Sequence, residues 1–520
     1  MPSSSVSTQL LIIGGGATGL GAAWDACLRG LKVILVEQSD LGQGTSGRYH
    51  GLLHSGGRYV ISDPPSARDC ASENAVLRRI APQVIEDSGG LFVTTPADPP
   101  EFADRWRSAC EENGVDVEEW SASTALKQEP LLNPRISRAY HEADASLDSF
   151  DLLHLLAQAV RRAGGQVLLH HRVERLEVTR GRVASVTLVD ACTGEARTIG
   201  AELVINAAGP WTGAVASLAG IKLPVVLSKG SMVAMATRLV HTVVNRCRPP
   251  QDGDIIVPVG TVAVLGTTDF RVEDPADHSI QAWEVDRILA EGEVLVPSLP
   301  DHRSLRAWAG VRALYRPPEA DRDDTRDLPR AHAVLDHAET DGIEGMLTVV
   351  GGKLTTFRLM AEDTIDAACG KLGVQATCTT SQDPIGTPQH RFHRLSDRLE
   401  EFESASDEPT SLVCECELAT RMGLEASFVQ GHARSLDDSR RDLRLGMGPC
   451  QAAFCAYRAA ALAAESASGS PSDGGYRPFL TERWRGIRPL AWGKTLCQIE
   501  LARRISIELF AADSLPEDPK

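Results

Sequence analysis

The sequence predicts an α/β fold. Three features carry that reading: a glycine-rich turn between two short apolar runs, a second strand-and-turn after residue 200, and a long β-rich stretch beyond it. Leu10–Ile13 is an apolar strand that enters Gly14-Gly15-Gly16-Ala17-Thr18-Gly19. Ala17–Gly30 follows with helical character, and Lys32–Glu37 is the next strand. Gly14 permits the tight turn, Gly16 lets backbone approach a diphosphate, and Gly19 lets helix and strand pack closely. The helix N-terminus, with Ala17 and Thr18 in its first turn, offers N–H groups and partial positive charge to that diphosphate. Glu37 closes the second strand about 20 residues on, where a carboxylate accepts hydrogen bonds from a ribose. The unit is Rossmann-like.

Later elements extend it. Leu152–Arg162 has the pattern of an amphipathic helix, followed by strands Gln166–His170, Val173–Val178 and Arg182–Val189. Leu203–Ala207 is a buried strand that runs into Ala208-Gly209-Pro210-Trp211. Strands ending on such small residues resemble the second approach of flavoprotein chains to the nucleotide, which favours FAD over NAD. Val173 is placed to offer backbone groups to an adenine. Ser231–Ala234, Asp254–Val259 and Val262–Gly266 read as strands of an inserted substrate domain, and Met346–Val350 returns before a helix from about Leu354. The expected organisation is an FAD-dependent region over 1–375, a linker over 376–410 and a C-terminal module over 411–520. Nucleotide-binding segments cover about 8–75, 150–222 and 306–375, and substrate-domain segments about 76–149 and 223–305. The acidic stretch Glu400–Glu408 marks the linker.

A net charge of −17 speaks against nucleic-acid binding, so an anionic ligand would need arginines placed locally. The first residues lack the basic and apolar regions of an export signal, and no stretch reaches the roughly 18 apolar residues of a membrane helix. A cytoplasmic, reducing location is expected, so the 12 cysteines are not read as disulfides.

Gly44-Thr45-Ser46-Gly47-Arg48, then His50-Gly51-Leu52-Leu53-His54-Ser55-Gly56-Gly57-Arg58-Tyr59, closely resembles the flavin-proximal loop of FAD-dependent glycerol-3-phosphate dehydrogenases. So do Lys229-Gly230-Ser231, Gly266-Thr267-Thr268-Asp269, Gly310-Val311-Arg312 and Gly351-Gly352-Lys353-Leu354-Thr355-Thr356. The match is closest to the large catalytic polypeptides of the anaerobic, multi-subunit enzymes and covers nearly the whole chain. The resemblance implies a glutathione-reductase-type FAD fold and oxidation of sn-glycerol 3-phosphate to dihydroxyacetone phosphate. Thr45, Ser46, Ala208, Gly209, Gly352, Lys353, Leu354 and Thr355 would meet the flavin nucleotide. Arg58, Tyr59, Arg312, Arg330 and Lys353 would hold the substrate, since guanidinium groups bind phosphate bidentately. Removing the hydroxyl proton calls for a base near neutrality. Single-chain relatives carry a histidine after Lys-Gly-Ser, but Met232 stands here. The role falls to His54 or His50, or to a water held by Arg312.

Cys414-Glu415-Cys416 and Cys450-x₄-Cys455 form a four-thiol constellation, with 33 residues between the inner pair and a helix expected from about Gln451. Four thiolates can hold zinc or a [2Fe-2S] cluster. The C-x-C…C-x₄-C spacing resembles bacterioferritin-associated-ferredoxin-like [2Fe-2S] modules, which implies relay through partner flavoprotein or iron–sulfur subunits to a quinone at the inner membrane face. Competing readings are a flavin amine or amino-acid dehydrogenase, and a non-catalytic electron-transfer subunit.

Overall fold

The apolar run before the glycine turn becomes Val6–Ile13, the middle strand of a parallel layer. It pairs with Val33–Val36 on one side and Ala196–Asn206 on the other. Gln166–Leu168 and Met346–Gly351 extend the layer at its two ends. Leu10, Leu11 and Ile12 are fully buried, as parallel strands covered on both faces should be. Helices Ala17–Leu28, Ser149–Arg162 and Phe357–Leu372 pack one face through Leu20, Leu156 and Phe357. The antiparallel strands His171–Thr179 and Arg182–Asp190 pack the other through Leu176 and Val186. The computed structural model describes residues 6–316, 325, 328, 330–387, 399–400, 411–429, 433–466 and 475–511.

The β-rich stretch forms a second sheet, in which Val225–Met235 runs antiparallel to Ser304–Tyr315 along its whole length. This corrects one boundary. The nucleotide segment expected from 306 starts too early, because Ser304–Tyr315 belongs to the second sheet; the first domain resumes with His332–Asp336. The linker also starts later than 376. Ile385 is fully buried, its N–H donates to the Ile80 carbonyl at 2.7 Å, and its own carbonyl accepts from Gln83 Nε2 at 2.5 Å. Most of Glu400–Glu408 lies outside the described residues.

The C-terminal module packs Arg421–Val429, Leu436–Leu443, Cys455–Ser466 and Tyr476–Ile487 around Leu424, Leu436, Ala459 and Phe479. Charge ties it to the first domain. Arg441, 1% exposed, donates from Nε to Asp40 at 2.8 Å and from Nη2 to Asp438 at 2.5 Å. Arg444 donates to Asp148 at 2.7 Å, and Asp148 also caps the helix Ser149–Arg162. The ligand atoms of Asp40, His170 and Asp438 lie within 4.8 Å of one another, and Arg441 donates to both carboxylates. Removing one partner of a buried pair costs about 3–5 kcal/mol. Arg441→Ala should therefore lower the first unfolding midpoint by several degrees in a thermal scan. Arg504→Ala, on the exposed face, should leave it in place.

Candidate active site

A cleft of about 1210 Å³ opens between the two sheets, larger than the ~300–1,000 Å³ of common small-molecule pockets. Gly14, Gly16, Ala17, Thr18, Glu37, Thr45, Ser46, Val173, Ala208, Gly209, Gly352, Leu354 and Thr355 all line it. Gly19 does not; a Cβ there would collide with the Gly14 carbonyl, so it serves helix–strand packing. Gly14 takes φ +113° with the Ala207 carbonyl where a Cβ would stand, which brings the two strand-end turns together. Glu37 accepts from Gly15 N–H at 2.7 Å and Ser39 N–H at 2.9 Å, bracing the turn it faces. Burial raises its carboxyl above the usual range, and those N–H groups oppose the shift. Ser46 Oγ accepts from Ala17 N–H at 3.1 Å, and the Thr45 hydroxyl bonds the Val311 carbonyl. The loop expected to meet the flavin thus bridges both domains. A nucleotide fits this cradle: small residues and helix-start backbone line it, and its volume leaves room for a second ligand.

The same cleft gathers Arg58, Tyr59, Arg312, Arg330 and Lys353, although the first and last are nearly 300 residues apart. Their partners were not anticipated. Arg58 donates to Asp254 at 3.0 Å. Arg330 donates to Asp269 at 3.0 Å, and Arg312 lies 3.7 Å from the same carboxylate while bonding Thr267 Oγ1 at 2.7 Å and Ser228 Oγ at 3.2 Å. Burial opposes ionisation of Asp269, yet Arg312 and Arg330 hold its carboxyl below the usual range. Lys353 Nζ sits 4.4 Å from the centroid of the Tyr59 ring and donates to the Arg330 carbonyl at 3.2 Å. Burial lowers its pKa. Among the described residues these four basic side chains share the cleft region with the carboxylates of Asp63, Asp254 and Asp269, and Asp63 accepts from the Arg330 N–H at 2.9 Å. Asp269 stood inside a quoted motif, and Asp254 heads a predicted strand. What sequence could not reveal was their pairing with arginines that lie far off along the chain.

Both candidate bases line the cleft, with ring centroids 5.9 Å apart. His50 Nδ1 accepts from Leu52 N–H at 3.1 Å, so the neutral ring carries its proton on Nε2 and acts there as a donor. His54 Nδ1 is buried without a hydrogen bond among the described residues. Its backbone N–H donates to Thr355 Oγ1 at 3.1 Å, which fixes it to the Gly351–Thr356 turn. Met232, which follows Lys229-Gly230-Ser231, is buried in the second sheet and does not line the cleft. Sequence reasoning missed a further support. Asp144 accepts from Ser55 N–H at 2.7 Å, Ser55 Oγ at 3.0 Å and Asn245 Nδ2 at 3.2 Å. Glu142 crowds Gly57, and burial beside Asp144 pushes its carboxyl up. Asp144 anchors the loop between His54 and Arg58, and Glu142 packs against it.

Burial, then Arg312 and Arg58, lowers His50 to about 3; burial, then His50, Lys353 and Arg58, lowers His54 well below its ordinary value. A depressed pKa keeps each ring neutral until pH falls through the lowered value. In the substrate-free protein, imidazole resonances assigned with His50→Asn and His54→Asn should not titrate between pH 5 and 8. A midpoint near 6.5 for either would contradict the geometry.

The sequence profile of the FAD dependent oxidoreductase family matches residues 9–358. The chain is 40% identical to the A1 component of the anaerobic glycerol-3-phosphate dehydrogenase of Haloferax volcanii, over 99% of this chain and 92% of the relative. It is 40% identical to the A component of the anaerobic glycerol-3-phosphate dehydrogenase of Escherichia coli K12, over 96% of each. Among solved structures, the glycerol-3-phosphate dehydrogenase of Bacillus halodurans complexed with FAD superposes with a TM-score of 0.59 at 24% identity, over 96% of this chain and 95% of that one. Glycine oxidase of Geobacillus kaustophilus shares the fold, with a TM-score of 0.57 at 20% identity, over 74% and 99%. The chain belongs to the FAD dependent oxidoreductase family, and within it to the group formed by the A components of anaerobic glycerol-3-phosphate dehydrogenases.

Proposed function

We propose that this protein oxidises sn-glycerol 3-phosphate to dihydroxyacetone phosphate and passes the electrons through its cysteine module to partner subunits, and from them to a quinone. The observation that carries the catalytic part is the convergence of Arg58, Arg312, Arg330 and Lys353 beside the turn that bears Thr355. Bound FAD supplies the hydride acceptor. The cations grip the phosphate dianion, and Arg312, backed by Ser228 and Thr267, orients the substrate. His54 takes the C2 hydroxyl proton at its imidazole, while His50 donates from Nε2 to an oxygen. Substrate charge offsets the cations that depress His54, so its basicity rises when the site fills. An amino-acid dehydrogenase would need one carboxylate grip, and an idle electron carrier none; neither accounts for four clustered cations.

The cysteine module fits a cluster better than zinc. Cys414 contacts Cys455 and Cys416 contacts Cys450, as two pairs. The C-x-C…C-x₄-C spacing favours a two-iron cluster over zinc, whose structural sites more often use C-x₂-C pairs. The helix expected from Gln451 begins at Cys455 instead, because Gln451 and Ala452 take left-handed backbone, φ 51° and 74°. Gly448 leaves room for Cys416, whose Cβ occupies the space a side chain there would need. A [2Fe-2S] cluster held there supplies one-electron relay. No helix of the described residues is long and apolar enough to cross a membrane, so the reading places the protein at the cytoplasmic membrane face through its partners.

Arg312→Met or Arg330→Met should weaken glycerol 3-phosphate by roughly 10- to 150-fold, from about 1.5–3 kcal/mol per charge-assisted contact. His54→Asn should slow flavin reduction by about 10²–10⁴ with flavin content unchanged. Rapid-mixing kinetics of flavin bleaching reads both, and unaltered rates in all three variants would sink the catalytic assignment. Cys455→Ser should abolish cluster absorbance and iron while leaving bleaching intact; stoichiometric zinc in the wild-type protein would reject the relay.

A further inference from the structure

Cys414 and Cys455 are the most buried of the four clustered thiols, each 1% exposed. The helix Tyr476–Ile487 brings Arg483, itself 2% exposed, within electrostatic reach of Cys455. A guanidinium keeps its charge inside a protein, and withdrawing it from water without a partner is costly. Among the described residues Arg483 nevertheless forms no ion pair. Its Nη2 donates to a neutral acceptor, Gln451 Oε1, at 2.5 Å, and its Nε finds no acceptor.

The charges around Arg483 do not supply what it lacks. Arg306, from the strand Ser304–Tyr315, reaches the same helix, and its Nη2 stands 2.6 Å from where a Cβ of Gly486 would be. Burial, then Arg306 and Arg440, push the Arg483 pKa well below its ordinary value, against Asp437 and the Cys455 thiol. Asp437 is committed elsewhere, since Arg440 and Arg441 both donate to it. Glu482, next along the helix, pairs with Arg485 at 2.7 Å. The thiols are what remain to balance this cation. Its position is also tied to them. Gln451 follows Cys450 and donates from Nε2 to the Met447 and Gly448 carbonyls at 3.1 and 3.0 Å, which turns its amide oxygen toward Arg483. Arg458 makes the contrast: its side chain is 42% exposed, and two of its nitrogens donate to Glu415 at 2.7 and 2.8 Å.

We infer that Arg483 is the internal counter-charge of the cysteine module's [2Fe-2S] cluster, which it keeps easy to reduce so that reduced FAD can hand over an electron. The inference rests on the cluster reading and deepens it by naming the residue that sets the strength of the acceptor. The step makes and breaks no bond. Reduced FAD loses one electron, and the added negative charge stays beside Arg483 until the partner takes it. A cation shielded from water favours the more negative state of such a cluster.

A redox titration of the full-length holoprotein, followed by the electron paramagnetic resonance of the reduced cluster, reads this directly. Arg483→Gln should lower the midpoint, so that the reduced-to-oxidised ratio at a fixed potential falls about tenfold or more, about 59 mV for one electron. Arg483→Lys keeps the charge, and Arg458→Gln removes one already paired in water; both should stay within about threefold of the wild type. Iron lost from Arg483→Gln but kept with a normal midpoint in Arg483→Lys would also support the inference, since charge separates the two. An unmoved midpoint in iron-loaded Arg483→Gln would overturn it, as would an equal shift in Arg458→Gln or in Arg483→Lys. Loss of iron from both Arg483 variants would make the residue a packing element and overturn it too. Wild-type protein holding zinc or no metal would defeat the cluster reading and this inference together, whereas a normal cluster with an unmoved midpoint defeats this inference alone.

Discussion

Positive charges held close together repel, and burial away from water strengthens the repulsion. Arg58, Arg312, Arg330 and Lys353 nevertheless share one cleft. Asp254 and Asp269 make this tolerable without cancelling it, since each carboxylate is itself pinned. Asp254 also accepts from Arg248 at 2.8 Å, and Asp269 from Ser228 Oγ at 2.6 Å. The cations are thus held in place by groups that are themselves fixed. Preorganised charge of this kind costs no rearrangement at the moment of binding or reaction.

The architecture follows from that need. The parallel sheet presents a glycine turn and the ends of several strands to one cleft, and the second sheet closes over it with the strand that carries Arg312. Ser46 on the helix start and Thr45 on Val311 fasten the connecting loop to both sheets. Asp144 holds the next stretch of the same loop through the Ser55 N–H and hydroxyl, with Glu142 packed against Gly57. Arg441 and Arg444 fasten the cysteine module to the first domain through buried carboxylates, one of which also caps a helix.

The nucleotide half was legible because its signals are local. Gly14 to Glu37 lie within 24 residues, and each glycine has a backbone reason to be there. The strands of the second sheet were visible as apolar runs, but not the side to which Ser304–Tyr315 belongs, since its partner strand lies some 80 residues back. Arg58, Arg312 and Lys353 stand in ordered motifs and Arg330 came from the family resemblance alone; their carboxylate partners did not show, because an ion pair across the fold leaves no periodicity. The helix start at Cys455 was misplaced for a related reason. Gln451 and Ala452 read as helix formers, and tertiary packing of the loop beside Gly446 and Gly448 overrides that propensity.

Recognition of a dianion by a fixed set of cations is tested most directly by an anaerobic absorption titration of the oxidised holoprotein. Glycerol 3-phosphate should bleach the flavin band at stoichiometric levels, whereas glycerol, sarcosine and proline at the same concentrations should leave it untouched. Bleaching by glycerol or by either amino acid, with glycerol 3-phosphate inert, would contradict the account.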